Sequence, residues 1–106
     1  MYARRVSLHL KPNSRAEFTQ KLETDIIPML RKQKGFQDQI SFVNHKGTEA
    51  VSITFWDQEG DAEAYSRGTD PGVLKGLANV LEGTAHVEGY EVSNSTFHKI
   101  AAHVAA

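Results

Sequence analysis

Apolar and polar residues alternate from Arg5 to Leu10, with Val6, Leu8 and Leu10 in one phase and Arg5, Ser7 and His9 in the other. A period of two predicts a half-buried strand. Lys11-Pro12-Asn13 interrupts it. Ser14 then stands three residues before Glu17, the spacing of a capping box, in which each side chain satisfies the other residue's backbone N–H. Phe18, Leu22, Ile26, Met29 and Leu30 follow at helical spacing and make one apolar face. Pro28 lies inside that run. Without an N–H it should leave the Thr24 carbonyl unpaired and cause a kink or a tight last turn. Gly35 suits the left-handed residue that closes a helix. Alternation resumes from Phe36 to His45, and Lys46-Gly47-Thr48 reads as a hairpin turn. A third strand sets Val51, Ile53 and Phe55 against Ser52, Thr54 and Trp56. Asp57 can cap a short helix to about Arg67, stopped by Gly68. Asp70-Pro71 starts another, with Leu74, Leu77 and Leu81 on one face and Gly83 at its end. The last strand covers roughly His86 to Phe97, with Tyr90 and Val92 on one face, and the Ala-rich tail after Lys99 carries no assignment.

The order strand, helix, strand, strand, broken helix, strand predicts a single α+β domain, a βαββαβ sandwich with helices on one face of an antiparallel sheet. Val6, Leu8, Leu10, Ile40, Phe42, Val51, Ile53 and Phe55 are expected to point at the helices. The opposite face then carries Arg5, Ser7, His9, Gln39, Ser41, Val43, His45, Ser52, Thr54 and Trp56, with Phe97 joining them. Such a face can be wetted by solvent, or a second copy of the domain can cover it and leave a lined cavity. Trp56 favours the second arrangement, because a large aromatic is usually at least partly buried.

Composition narrows the partners. The 106 residues suit one domain, and the formal net charge of -1 offers no basic stripe for nucleic acid. Absence of cysteine excludes disulfides, thiolate metal sites and a thiol nucleophile, and it fits a cytoplasmic protein. Neither a signal-peptide block nor a membrane-length apolar stretch is expected. Phosphate-binding glycine loops and nucleophile elbows are absent from the sequence. The element order also suits an RNA-recognition module, but that use needs exposed aromatic and basic residues on the central strands. Ser7, His9, Ser52 and Thr54 stand there instead.

Three features carry a resemblance over about residues 4 to 98. They are Gly35-Phe36 between the first helix and second strand, Phe55-Trp56 running into the acidic helix Asp57 to Tyr65, and Gly89-Tyr90-Glu91-Val92 in the last strand. Together they resemble the antibiotic biosynthesis monooxygenase-like domains of the dimeric α/β-barrel superfamily. The resemblance implies a ferredoxin-like protomer, a homodimer whose sheets meet as a barrel, and a pocket between sheet and helices near Trp56. Some members oxidise phenols or quinols with dioxygen and no metal or flavin, and others degrade haem. Trp56 matches the Trp of the cofactor-free oxygenases, whereas their Asn four residues earlier is Ser52 here. Tyr65 falls where haem-degrading relatives place a Trp. Their first-strand Asn is Arg5 or Val6, and their axial His falls near Ala78 or Asn79, which argues against haem.

His9 and His45 are candidate bases, since an imidazole titrates in the range a phenol or enol requires. Ser52 or Thr54 would donate to a developing oxyanion, and Trp56 would form a wall. Ser7, Ser41, Tyr65 and Phe97 complete the expected substrate surface. His86, His98 and His103 flank the last strand, and no three ligands can be shown to converge, so no metal is assigned. Two functions fit these residues. One is a cofactor-independent monooxygenase of small aromatics or quinols. The other is a non-catalytic dimer that binds a small ligand or serves as an interaction module.

Overall fold

The first alternating run folds as β1 (Tyr2–Leu10) and takes one of the two central places in a four-stranded antiparallel sheet. Its companions are β2 (Phe36–Val43), β3 (Glu49–Trp56) and β4 (Leu81–Glu91), in the order β2-β3-β1-β4. The computed structural model describes residues 1–96, so Phe97 and the tail lie outside the described residues; the last strand starts earlier than the expected His86, at Leu81, and ends at Glu91, short of the expected Phe97.

The first helical stretch divides into α1 (Arg15–Lys21), a π turn (Leu22–Ile26) and α2 (Ile27–Leu30). The expected capping box does not form: the Ser14 hydroxyl donates to the Pro12 carbonyl at 3.5 Å, and the Ser14 carbonyl accepts the Phe18 N–H at 2.9 Å. The last turn after Pro28 is tight, as expected: the Lys32 and Gln33 N–H groups reach back only three residues, to the Met29 and Leu30 carbonyls at 3.1 and 2.9 Å. Before the proline the helix widens, and the Ile27 N–H reaches back five residues to the Leu22 carbonyl. A wider turn relieves the contact a proline ring makes with the carbonyl four residues earlier. Phe18, Leu22, Ile26 and Leu30 are all buried against the sheet, each contributing about 1.5–3 kcal/mol of apolar burial. Gly35 follows with φ +79°, and a Cβ there would lie 2.1 Å from the Asp61 carboxylate, so the position excludes a side chain on both counts.

On the other side of the hairpin, α3 (Glu59–Gly68) and α4 (Asp70–Gly76) form the broken helix. The second piece ends at Gly76. Gly83, expected to close it, belongs to β4, with φ +69°. There the β1–β4 register jumps from Ser7↔His86 to His9↔Glu82, and a positive-φ glycine suits a bulge.

A further expectation is overturned: the side of β2 and β3 that meets the helices. Residues directly opposite on neighbouring strands share a face. Val6 pairs with Ser52 and Leu8 with Ala50, while Ile40 pairs with Ile53 and Phe42 with Val51. Ala50, Ser52, Thr54 and Trp56 therefore side with the helices, together with Gln39, Ser41 and Val43. Val51, Ile53, Phe55, Ile40 and Phe42 lie on the open face with Arg5, Ser7 and His9. A bulge between Phe36 and Asp38 swings Phe36 back to the helix side, opposite Trp56. The physical reason is volume. Phe18, Leu30 and Tyr65 of the helices fill the space above the sheet, so small residues fit beneath them. The bulky apolar residues of β2 and β3 are left outside, and on β2 Ile40 is 40% and Phe42 53% exposed.

Glu88 organises the β1–β4 half of the open face. Its carboxylate receives the Tyr90 hydroxyl, lies 3.3 Å from Arg5 Nη1 and 3.3 Å from His86 Nε2. The Tyr90 hydrogen bond, followed by the charges of His86 and Arg5, holds the carboxyl below its ordinary range, and the same hydrogen bond pushes the Tyr90 phenol up. A lowered folded value means that this stabilisation is complete above the ordinary carboxylate range and is lost as pH falls through the lowered one. The raised phenol acts oppositely: its contribution is complete below the ordinary tyrosine value and is lost as pH rises through the raised one. Glu88→Gln should therefore lower the melting temperature at neutral pH, with the gap to wild type closing in acid. Tyrosine NMR titration should show the Tyr90 phenol returning toward its ordinary value in the variant. A gap that persists unchanged in acid would show that the carboxylate charge is not responsible.

Candidate functional site

The helix face of the sheet carries a polar row that sequence periodicity had placed on the other side. Arg4 lies opposite Thr54, Gln39 opposite Thr54 from the other flank, and Ser41 opposite Ser52. The Gln39 amide donates to Ser52 Oγ at 3.0 Å and also to Ser41 Oγ, and Ser41 lies 3.4 Å from Ser52. With Ser52 accepting from its β2 neighbours, its own proton is left to be donated elsewhere. Thr54 is oriented similarly: its Oγ1 accepts the Trp56 indole N–H at 2.9 Å. Arg4, 5% exposed, places its guanidinium carbon 5.5 Å from the centroid of the Tyr65 ring, within cation–π range.

Arg4, Ser52, Thr54 and Tyr65 form the polar end of a cavity of about 40 Å³ between sheet and helices. Its remaining walls are apolar, from Val6 and Leu8 on the sheet to Phe18, Leu22, Leu30 and Leu77 above. Trp56 is fully buried behind Tyr65, at 5.1 Å between centroids, and meets Phe36 edge-on at 5.6 Å. It buttresses the residues that line the cavity and orients Thr54, and does not itself line the cavity.

The structure brings Ser52, Thr54, Tyr65 and Trp56 together, with Ser41 beside them. It separates the histidines from this group. His9 is exposed on the open face, with Nδ1 3.9 Å from Glu49, and Ser7 shares that face. His45 is exposed in the hairpin turn between β2 and β3. The sheet stands between His9 and the hydroxyl row, so His9 cannot act on a molecule in the cavity of its own chain. Sequence reasoning missed Arg4 and undervalued Gln39. The signal for Arg4 was present: it is in phase with Val6, Leu8 and Leu10, a charge on the buried side of the strand. Among the described residues, no three metal-ligating side chains gather into a group that could hold an ion.

No protein-family model matches the chain, and no curated protein is detectably similar to it. Solved structures are. A protein of unknown function from Nitrosomonas europaea superposes with a TM-score of 0.72 at 19% identity, over 99% of this chain and 94% of that one. The ActVA-Orf6 monooxygenase of Streptomyces coelicolor, solved with nanaomycin D, gives 0.72 at 16% identity over 90% and 89%. A candidate antibiotic biosynthesis monooxygenase from Bordetella bronchiseptica gives 0.75 at 11% identity over 86% and 95%. The chain has the antibiotic biosynthesis monooxygenase-like fold. The hydroxyl-lined cavity of this chain lies between the sheet and the helices of that fold. No helix among the described residues is long and apolar enough to cross a membrane.

Proposed function

We propose that the protein is a cofactor-independent monooxygenase of a small phenol, quinol or anthrone, acting as a homodimer with one such site in each protomer. The observation that carries this reading is the pair of oriented hydroxyls, Ser52 and Thr54, set beside a buried guanidinium at the end of an otherwise apolar cavity. Oxidation of this kind begins from the ionised substrate. Hydrogen-bond donors aimed at the ring oxygen and a positive charge nearby both favour that form over the neutral one. The anion then passes an electron to dioxygen, and the two radicals combine at carbon to give a hydroperoxide. Loss of water leaves a carbonyl. For an anthrone, one oxygen atom of dioxygen stays on the ring carbon, and the other departs as water with the two hydrogens that carbon held.

Oxygen uptake by metal-free protein, supplied with a panel of hydroquinones and anthrone, tests the reading. Uptake above buffer is expected with at least one, and Ser52→Ala combined with Thr54→Val should reduce the rate roughly a hundredfold if these hydroxyls stabilise the anion. The exclusion of His9 and His45 from the cavity favours a second reading, a dimeric module that binds a small ligand without turning it over. Uptake at the buffer rate across the whole panel, with a raised melting temperature in the presence of one of its members, would select that reading instead.

A further inference from the structure

The open face of the sheet is apolar on its β2–β3 half and charged on its β1–β4 half. Directly opposed residues share a face, and they form rows across it. One row runs His86, Ser7, Val51, Phe42, and the next runs Glu88, Arg5, Ile53, Ile40. Beyond the first, His9 stands between Glu49 on β3 and Glu82 on β4, its partners in the two ladders, and all three line one surface cleft. Beyond the second, Asp38 shares the face through its pairing with Phe55, and Tyr90 through its pairing with Ala3.

This face is therefore acidic. Among the described residues it sets four carboxylates, Asp38, Glu49, Glu82 and Glu88, against one guanidinium, Arg5. His9 and His86 are the groups on it that can change that balance near neutral pH, and each has a carboxylate at hand. His86 Nε2 lies 3.3 Å from Glu88, and His9 Nδ1 lies 3.9 Å from Glu49. Arg5, Glu88 and Tyr90 keep their charge states in that range, because the carboxyl is held below its ordinary value and the phenol above it.

A symmetric dimer that joins open faces presents the same patch twice. With neutral imidazoles, two faces with an excess of three negative charges would meet, and Glu49 and Glu82 would leave water on either side of an uncharged ring. With both histidines protonated, the excess falls to one on each face. A carboxylate buried without a cation costs more than one buried with its partner in place, so joining the faces favours the protonated rings.

We propose that association through this face is coupled to proton uptake by His9 and His86, so that the dimer tightens as pH falls through the histidine range and loosens as pH rises. The state that binds more protons gains as pH falls. This rests on the homodimer proposed above and adds a pH switch to it.

Sedimentation velocity at about pH 6 and about pH 8, at one ionic strength, tests the coupling across the histidine range. The wild-type dissociation constant should be at least about tenfold lower at the acidic value. His9→Gln combined with His86→Gln should abolish the change and associate at both values as wild type does in alkali. Glu49→Gln combined with Glu82→Gln acts in the opposite sense, bringing association in alkali close to that of wild type in acid. His45→Gln, in the hairpin turn and off the face, should keep the wild-type response. All five side chains are exposed, so the far-ultraviolet spectra should not change. A dimer indifferent to pH, one that tightens as pH rises, or a histidine double variant with the full response would overturn the coupling and keep the homodimer. A wild type that is monomeric at both values would overturn the two together.

Discussion

Trp56→Ala should destabilise the protein by about 3–5 kcal/mol, the range for removing a large buried aromatic. The indole has no exposed surface and sits among Phe36, Tyr65 and Thr54. Its loss acts on two levels. Packing is lost on both ring faces and edges, and the neighbours close in only partly because Tyr2 and Phe36 are fixed by the strand pairs that place them opposite Trp56. The Thr54 hydroxyl also loses the N–H that orients it. Trp56→Phe separates these contributions. It keeps most of the ring volume and removes the donor, so its cost should be smaller, with about 1 kcal/mol from the hydrogen bond alone. Denaturant unfolding followed by circular dichroism measures both, since the variants lack the fluorophore. Near-equal stability of Trp56→Ala and wild type would mean that the indole is not the structural post of the site. If Trp56→Phe kept wild-type oxygen uptake, orientation of Thr54 would not matter to the chemistry.

The residues that made the elements legible are the same ones that hid the faces. Alternation in Val51-Ser52-Ile53-Thr54-Phe55-Trp56 announces a strand and sorts its side chains into two sets, yet it is silent on which set meets the helices. The rule that aliphatics face the core holds on β1, where Val6, Leu8 and Leu10 are buried, and fails on β3. A shift of one residue exchanges every side chain between faces. Trp56 contained the hint: if it is to be buried, Thr54, Ser52 and Ala50 must go in with it. The site was legible in the same partial way. Ser52, Thr54, Tyr65 and Trp56, grouped from the sequence, do stand near one another, but His9 was grouped with them through the same inversion, and Arg4 was passed over although its phase marked it as buried. The π turn had no separate sequence signal. Pro28 announces a disturbance, and whether the chain tightens, kinks or widens depends on what Leu22 and Ile26 must bury.

The inverted faces make the expectation of a dimer more specific. With Ile40, Phe42, Val51, Ile53 and Phe55 on the open side, that surface is an apolar patch, which monomeric proteins of this size seldom leave in water. In the homodimer proposed here, Phe42, over half exposed in the single protomer, would lie in the contact. Phe42→Asp should accordingly leave the protomer folded, with an unchanged far-ultraviolet spectrum, and weaken association by at least about thirtyfold, the scale of a two-kcal/mol interface residue. An unpaired carboxylate must be desolvated to remain in such a contact, which adds to the loss of the ring. Gln20→Asp, on the exposed surface of α1, introduces the same charge away from the sheet and should sediment as wild type does. Sedimentation velocity across a micromolar concentration series distinguishes the outcomes. A wild type that stays monomeric throughout, or a Phe42→Asp variant that remains as dimeric as its parent, would show that this patch is covered by something other than a second copy of the chain.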